Sequence, residues 1–582
     1  MGRRARKGIY GGGFFGYDID TMINSRKRRV FALMLALVAP LLTARARANI
    51  YATDLRMNGA QPLVTNAAFS VINITYILNE PADLGVTINI ASGTNVVRAL
   101  PASPGANGAL LGTNLVPWDG NDSNGFPVPT GDYVVSVTPA SSGHTNWAQI
   151  SRDTNAGNYV FAPRGLAVDN NSNSVFYGRV FVGNAATWTN YATVPGGNDT
   201  ILMLNADGSF SADGPDGTGG YAGIEDYGIY GAPQKMRVGD DDRLYMMDLN
   251  NVPPQLVSFD LRLAGYQIVL GLNNYINNPF WDNYPYPLST GVGWFSMDVT
   301  GAGTTNGLIW LGEWDAGGAG VWNWHLTNGV ADPDDSTGNW AIEVGGSLGV
   351  AASGGLMVDT NLDLFVGQYL TDLGDTNAGC MEFTNWNSGR AFNGNPETNG
   401  TAWSAGGNDN TFLGVYDTTI DSRQRPRYVA CALSNGLATA GVRILDARGG
   451  TNVVANLDAA NQYFVTAWDN VGNLYAASGT SHLLRVYSPP DGPNQATTLG
   501  AIRIESAITG IRLNGTNLTI TFVGSKSDNV GQITLQSCAS VNGAYANVPG
   551  AVPTQTSPGF FTVTTPAPAT TQFYRISHTA AQ

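Results

Sequence analysis

After residue 48 this chain keeps only two lysines, Lys235 and Lys526. It has 3 cysteines and 4 histidines in 582 residues, and charged residues make up 13% of it. Each shortage excludes something. Cys380, Cys431 and Cys538 are an odd, sparse set, which is no disulfide framework. They form no CxxC or Cys/His cluster, so a zinc centre is not expected. His144, His325, His482 and His578 stand far apart, and no Gly-x-Ser-x-Gly elbow presents a serine to any of them. A Ser-His-Asp site is therefore not expected. No P-loop and no dinucleotide fingerprint between a strand and a helix occurs. Helical heptads, low-complexity tracts and apolar runs of about 18 residues are missing as well.

The first 48 residues stand apart. Arg26, Lys27, Arg28 and Arg29 precede an apolar run at 30–42, followed by Ala46, Arg47 and Ala48. A basic start, a short apolar segment and an Ala-x-Ala exit describe a secretory signal peptide, with a mature start at Asn49. The competing reading is a short membrane anchor. Residues 1–21 read as an upstream extension, with Met22 as the true start. The full chain carries a net charge of −14. The leader holds ten Lys/Arg and two Asp, so removing its +8 leaves −22. Such a surface repels nucleic acid and anionic membranes and attracts cations. The expected location is outside the cell or in the cell envelope, with no stable membrane span after cleavage.

What the chain has in abundance is turns and strands: 73 glycines, 10% aromatics, and a phrase that recurs. An apolar run reaches an Asp, a polar turn follows, then an apolar-aromatic strand. It reads GLAVD at 165–169, MRVGD at 236–240, FSMD at 295–298, LMVD at 356–359 and VTAWD at 465–469, with a weaker copy, LGVYD, at 413–417. The anchors Asp169, Asp240, Asp298, Asp359, Asp417 and Asp469 are spaced 71, 58, 61, 58 and 52 residues apart. Strand-type units repeated at a near-constant step indicate a β-propeller, here with six blades over 150–504. Units this long place their surplus in loops, where binding residues usually sit. Tyr245 and Trp468 fall in strands expected to be buried. Cys380 and Cys431 fall in consecutive repeats, and a bridge between them stays open in an exported chain.

The flanks read as β-sandwiches, at 49–142 and 505–582. The first resembles the Ig-like domain of flagellar hook-capping proteins. Leu78, Asn79, Glu80, Pro81 and Ala82, then Gly93, Val97, Arg98 and Leu100, carry the likeness. Trp118, Asp119, Gly120, Asp122, Asn124, Gly125, Pro127, Pro129, Gly131 and Tyr133 continue it. That resemblance implies a spacer or assembly module. The repeats resemble NHL-type and gluconolactonase-like six-bladed propellers in their Asp-turn-Leu-Tyr grammar, as in Leu244-Tyr245 and Leu474-Tyr475. In the latter family a divalent ion sits in the channel on Glu, Asn and Asp. The C-terminal stretch, through Leu535, Gln536, Ser537, Gly543, Tyr545, Phe573, Tyr574 and Arg575, resembles a small sandwich that ends large secreted bacterial proteins.

Two sets of residues are candidates for a site. Acidic loops, above all Asp240, Asp241 and Asp242, offer oxygen ligands suited to calcium. Against this, an Asp repeated at one blade position is what a turn cap requires. Trp281, Trp294, Trp310, Trp314, Trp322, Trp324 and Trp340 crowd into 60 residues. Aromatic faces stack on sugars and on extended peptides, but large rings also fill the gaps between blades. Trp310 reads as core. Trp322 and Trp324 share one strand face, and Trp281 and Trp340 lie in loop-like stretches. The sequence thus leads to a non-catalytic extracellular binding protein whose propeller face takes a glycan or protein ligand. The alternative is a metal-dependent, lactonase-like hydrolase or a lyase acting on an extracellular substrate.

Overall fold

A computed structural model describes residues 49–61, 63–67, 71–184, 200–213, 220–221, 233–248, 255–270, 294–301, 307–313, 320–331, 339–343, 353–359, 364–368, 380–383, 401–402, 415–420, 428–433, 440–446, 453–524 and 528–578. Ala48–Gln582 is one compact unit. The described chain is all-β, its strands joined by turns and two short 3-10 segments, Ala156–Asn158 and Val530–Gln532. No helix among the described residues is long and apolar enough to cross a membrane.

Six sheets follow one another through the middle of the chain, each antiparallel and mostly four-stranded. Their first strands are Pro163–Val168, Gln234–Val238, Trp294–Thr300, Ser353–Val358, Val415–Ile420 and Tyr463–Trp468. Each first strand lies beside the first strand of the next sheet, and the sixth lies beside the first. The residues explain this. Strands such as Val180–Asn184, Thr200–Leu204 and Leu474–Ser478 are buried along their whole length. Burial on both faces calls for a sheet packed on each side, which the neighbouring sheets supply. One core joins the first and sixth sheets through Leu166, Val182, Val465 and Tyr475. Another joins the first and second through Phe181, Met236 and Phe259. Tyr245, in a core with Ile309 and Trp324, is wholly buried, and Trp468 is buried against Tyr428 and Trp147.

Two pairings cross the boundaries that the sequence suggests. The two-residue strand Ala148–Gln149 precedes the first repeat, yet it completes the sixth sheet beside Leu484–Ser488. Thr498–Glu505 follows the last repeat, yet it pairs with Gly131–Ser141 and, in parallel, with Leu63–Ala67. It thereby joins the N-terminal sheet that also holds Gly85–Ser92 and Asn95–Ala102. That sheet packs on Ala52–Met57, Ile72–Leu78 and Gly112–Trp118 around Trp118, Tyr76, Ile88 and Ile502. The last two sheets, within 507–578, share a smaller core of Ile520, Phe522, Leu535 and Phe561.

Candidate functional site

Each of the six first strands carries a β-bulge at the same place, one residue after its start. The bulged residues are Arg164, Lys235, Phe295, Gly354, Tyr416 and Phe464. A bulge adds an unpaired residue, bends the strand and re-aims a side chain. Lys235 sits there at φ +35°, a backbone that side-chain-bearing residues seldom adopt. Register places the six bulges at one end of the sheets. In the second sheet Gln234 pairs with Met247, Asp248 with Gln255, and Leu256 with Leu270. Leu270 and Trp294, the described residues on either side of 271–293, therefore both lie at this end. The short connections 239–242 and 261–266 close the opposite end.

The bulge residues of the sixth and first sheets touch. The Arg164 guanidinium lies 4.8 Å from the centroid of the Phe464 ring, a cation–π contact. Beside it, the Phe161 and His482 rings stand 5.0 Å apart, and Tyr159 is 6.1 Å from His482. His482 Nδ1 and the Phe161 carbonyl are 2.9 Å apart. Asn184 Oδ1 accepts from the amides of Phe161 and Ala162 and fixes their loop. Arg164, Phe464, Phe161, His482 and Tyr159 are all part-exposed. They make a basic, aromatic patch on a strongly acidic chain.

Between the first strands lies an ion pair. Arg237 Nε is 3.3 Å from Asp298 Oδ1. Arg237 also donates to the carbonyls of Met236 at 2.9 Å, Leu356 at 3.3 Å and Leu166 at 3.5 Å. Asp298 Oδ2 accepts from the Val358 amide at 2.7 Å. One Arg–Asp pair thus reaches the first strands of four sheets. A first strand has one unpaired edge, and its buried N–H and C=O groups need partners. Arg237 and Asp298 supply some of them.

The repeated aspartates divide into different roles. Counted from the bulge, Asp169, Asp240, Asp359 and Asp469 fall at one position. Asp298 falls two residues earlier and Asp417 four. Asp469 accepts from the amides of Val471 and Asn473, and Asp169 from that of Asn171, so both cap turns. Burial pushes the Asp169 carboxyl up to about 6.

The acidic triplet does not converge. Asp240 is exposed. Asp241 accepts from the Tyr245 hydroxyl at 2.9 Å, and burial raises its pKa. Asp242 accepts from Asn171 Nδ2 at 2.8 Å. Among the described residues no group of three or more His, Cys, Asp or Glu side chains is placed to hold a metal ion.

The tryptophans are placed unequally. Trp281 lies outside the described residues. Trp322 and Trp340 are register partners on neighbouring strands of the third sheet. Trp324 is 2% exposed and packs in the core with Tyr245 and Ile309, so it serves as filling between sheets. Trp310 is buried too, its Nε1 donating to Thr300 Oγ1. Cys431 is a buried free thiol and Cys538 is free as well, so the bridge between Cys380 and Cys431 is not formed.

Sequence reasoning passed over Arg164, Phe464 and Arg237. The repeat spacing does not mark them, and Arg164 and Phe464 are seen as bulge residues only once register is known. No family model matches this chain. No curated protein matches it either.

Proposed function

We propose that the six sheets are the blades of a β-propeller, and that the chain is an exported or cell-envelope binding protein. Its ligand, an extracellular glycan or protein, is taken on the end where the first strands begin. The observation that carries this reading is the bulge repeated in all six first strands, which turns Arg164 and Phe464 into one part-exposed patch. Bulges gather where a sheet must re-aim side chains toward a site. A few aromatic and Arg anchors usually dominate such an interface. In sequence Trp281 falls between Leu270 and Trp294, the strand ends that lie at the bulge end.

Retention of the purified chain on envelope polysaccharide or envelope protein tests the proposal. Arg164→Ala and Trp281→Ala should each lower retention at least tenfold with an unchanged melting curve. Unchanged retention in both variants would remove this end from the account.

A further inference from the structure

The leader expected from the sequence ends at Ala48, where the compact unit begins. The next residues are sealed in. Asn49, Ile50, Tyr51 and Ala52 are each 0% exposed. Asn49 is held from four places. Its backbone N donates to Asn494 Oδ1 at 2.9 Å and its side-chain amide to the Pro489 carbonyl at 3.1 Å. Its carbonyl accepts from Asn79 Nδ2 and Asn473 Nδ2, both at 2.8 Å. Asn79 belongs to the N-terminal region, Asn473 to the first turn of the sixth sheet, and Pro489 and Asn494 to the segment that follows that sheet.

We propose that the Ala48–Asn49 bond is a processing site that is open only before the fold closes, and that the cradle of Asn494, Asn79, Asn473 and Pro489 is the binding site for the new amino terminus. This rests on the export reading above. A leader peptidase adds water across the bond. The Ala48 carbonyl carbon gains a hydroxyl and becomes a carboxylate, and the Asn49 nitrogen leaves as an amine and takes a proton. The enzyme must hold the chain extended on both sides of the bond. In the closed fold the residues on the Asn49 side offer no backbone to hold.

Chain order supplies the window. Asn79 lies only 30 residues downstream of Asn49, but the other three partners lie 424, 440 and 445 residues downstream. Contacts of such separation form only after the intervening chain exists. At about 5–20 residues per second, 445 residues take about 20–90 s to make. Cleavage has that interval before the cradle can close. Afterwards the terminus is protected, and its amine sits against Asn494 Oδ1.

Two measurements test this. Full-length chain is refolded by dilution from denaturant, with leader peptidase added either at dilution or after refolding. Intact mass and N-terminal sequencing should show a product starting at Asn49 in the first arm and at least tenfold less in the second. Equal cleavage in both arms would overturn the order proposed here and leave export standing. No cleavage in either arm, or cleavage at another bond, would overturn the export reading itself. In the second measurement an amine-reactive label is applied to mature chain. The Asn49 amine should react at least tenfold more slowly when folded than when unfolded, and Asn494→Ala should remove most of that protection. Equal labelling of folded and unfolded chain would overturn the docked terminus.

Discussion

The two all-β regions that flank the six sheets are built from similar sequence, with alternating strands and polar turns, but they are anchored in different ways. The N-terminal one encloses Trp118, Tyr76 and many aliphatic side chains, borrows Thr498–Glu505 from beyond the repeats, and sends buried polar groups into its neighbours. Arg179 of the first sheet lies 2.9 Å from Asp213 and 3.5 Å from Asp54, and Arg56 contacts the same two carboxylates at 2.6 and 2.8 Å. Burial works against ionising Asp213, but Arg56 and Arg179 hold its carboxyl below the usual range. Tyr51 meets Tyr177 and Tyr475. The C-terminal region keeps a small core and leaves much of its apolar surface outside, with Leu513 68% and Val552 71% exposed. The first region is thus tied into the body by buried polar groups, whereas the second meets the first region's core through Val523 and Ala507. Anchoring depends on what distant chain a strand meets, which its own alternation does not record.

The largest effect expected from this contrast is at Trp118. Its side chain is wholly buried and its Nε1 donates to the Asn121 carbonyl. Trp118→Ala should cost about 3–5 kcal/mol, measured by denaturant unfolding. Leu513→Ala should stay within about 0.5 kcal/mol. Equal costs would erase the distinction between the two regions.

The next effect is at the seam. The Arg179 side chain is 2% exposed. Arg179→Met leaves Asp54 and Asp213 with less compensating charge and should cost about 3 kcal/mol. A change below 1 kcal/mol would mean that the seam contributes little.

Two pH effects sharpen the picture. Because burial raises the Asp169 pKa to about 6, the folded chain binds more protons than the unfolded one between about pH 4 and 6. Stability therefore falls as pH rises through that window, by at most about 3 kcal/mol. Asp169→Asn, which keeps an acceptor for the Asn171 amide, should flatten the fall in melting midpoint across pH 4–7. In the N-terminal region, the bond to Glu80 raises the His144 pKa despite partial burial. That contribution is complete below about pH 6.5 and is lost as pH rises through the raised value. His144→Gln should remove this small dependence. A variant with the same pH profile as the parent would place the titration elsewhere.

Much of the fold was legible because it is local. The strands around Tyr245 and Trp468, the all-β class and the recurrence of units all follow from alternation and turn residues. What stayed hidden is long-range. Nothing in Ala148 or Gln149 marks a strand that completes a sheet more than 300 residues away. Thr498–Glu505 alternates like any strand and names no partner. The six Asp anchors looked equivalent because spacing alone cannot see a bulge, so Asp298 was grouped with turn caps although it pairs with Arg237. At the candidate site, tryptophan density drew attention to Trp324, which is core, while Arg164 and Phe464 became neighbours only through register.

The central claim is that the end bearing the six bulges is the binding end, and comparing the two ends tests it most directly. Arg164 and Phe464 mark one end. Tyr266, 47% exposed in the connection 261–266, marks the other. Retention on envelope polysaccharide or protein would be measured for Arg164→Ala with Phe464→Leu, and for Tyr266→Ala. The account predicts at least a tenfold loss for the first pair and no change for Tyr266→Ala. Loss with Tyr266→Ala and full retention with the pair would contradict it.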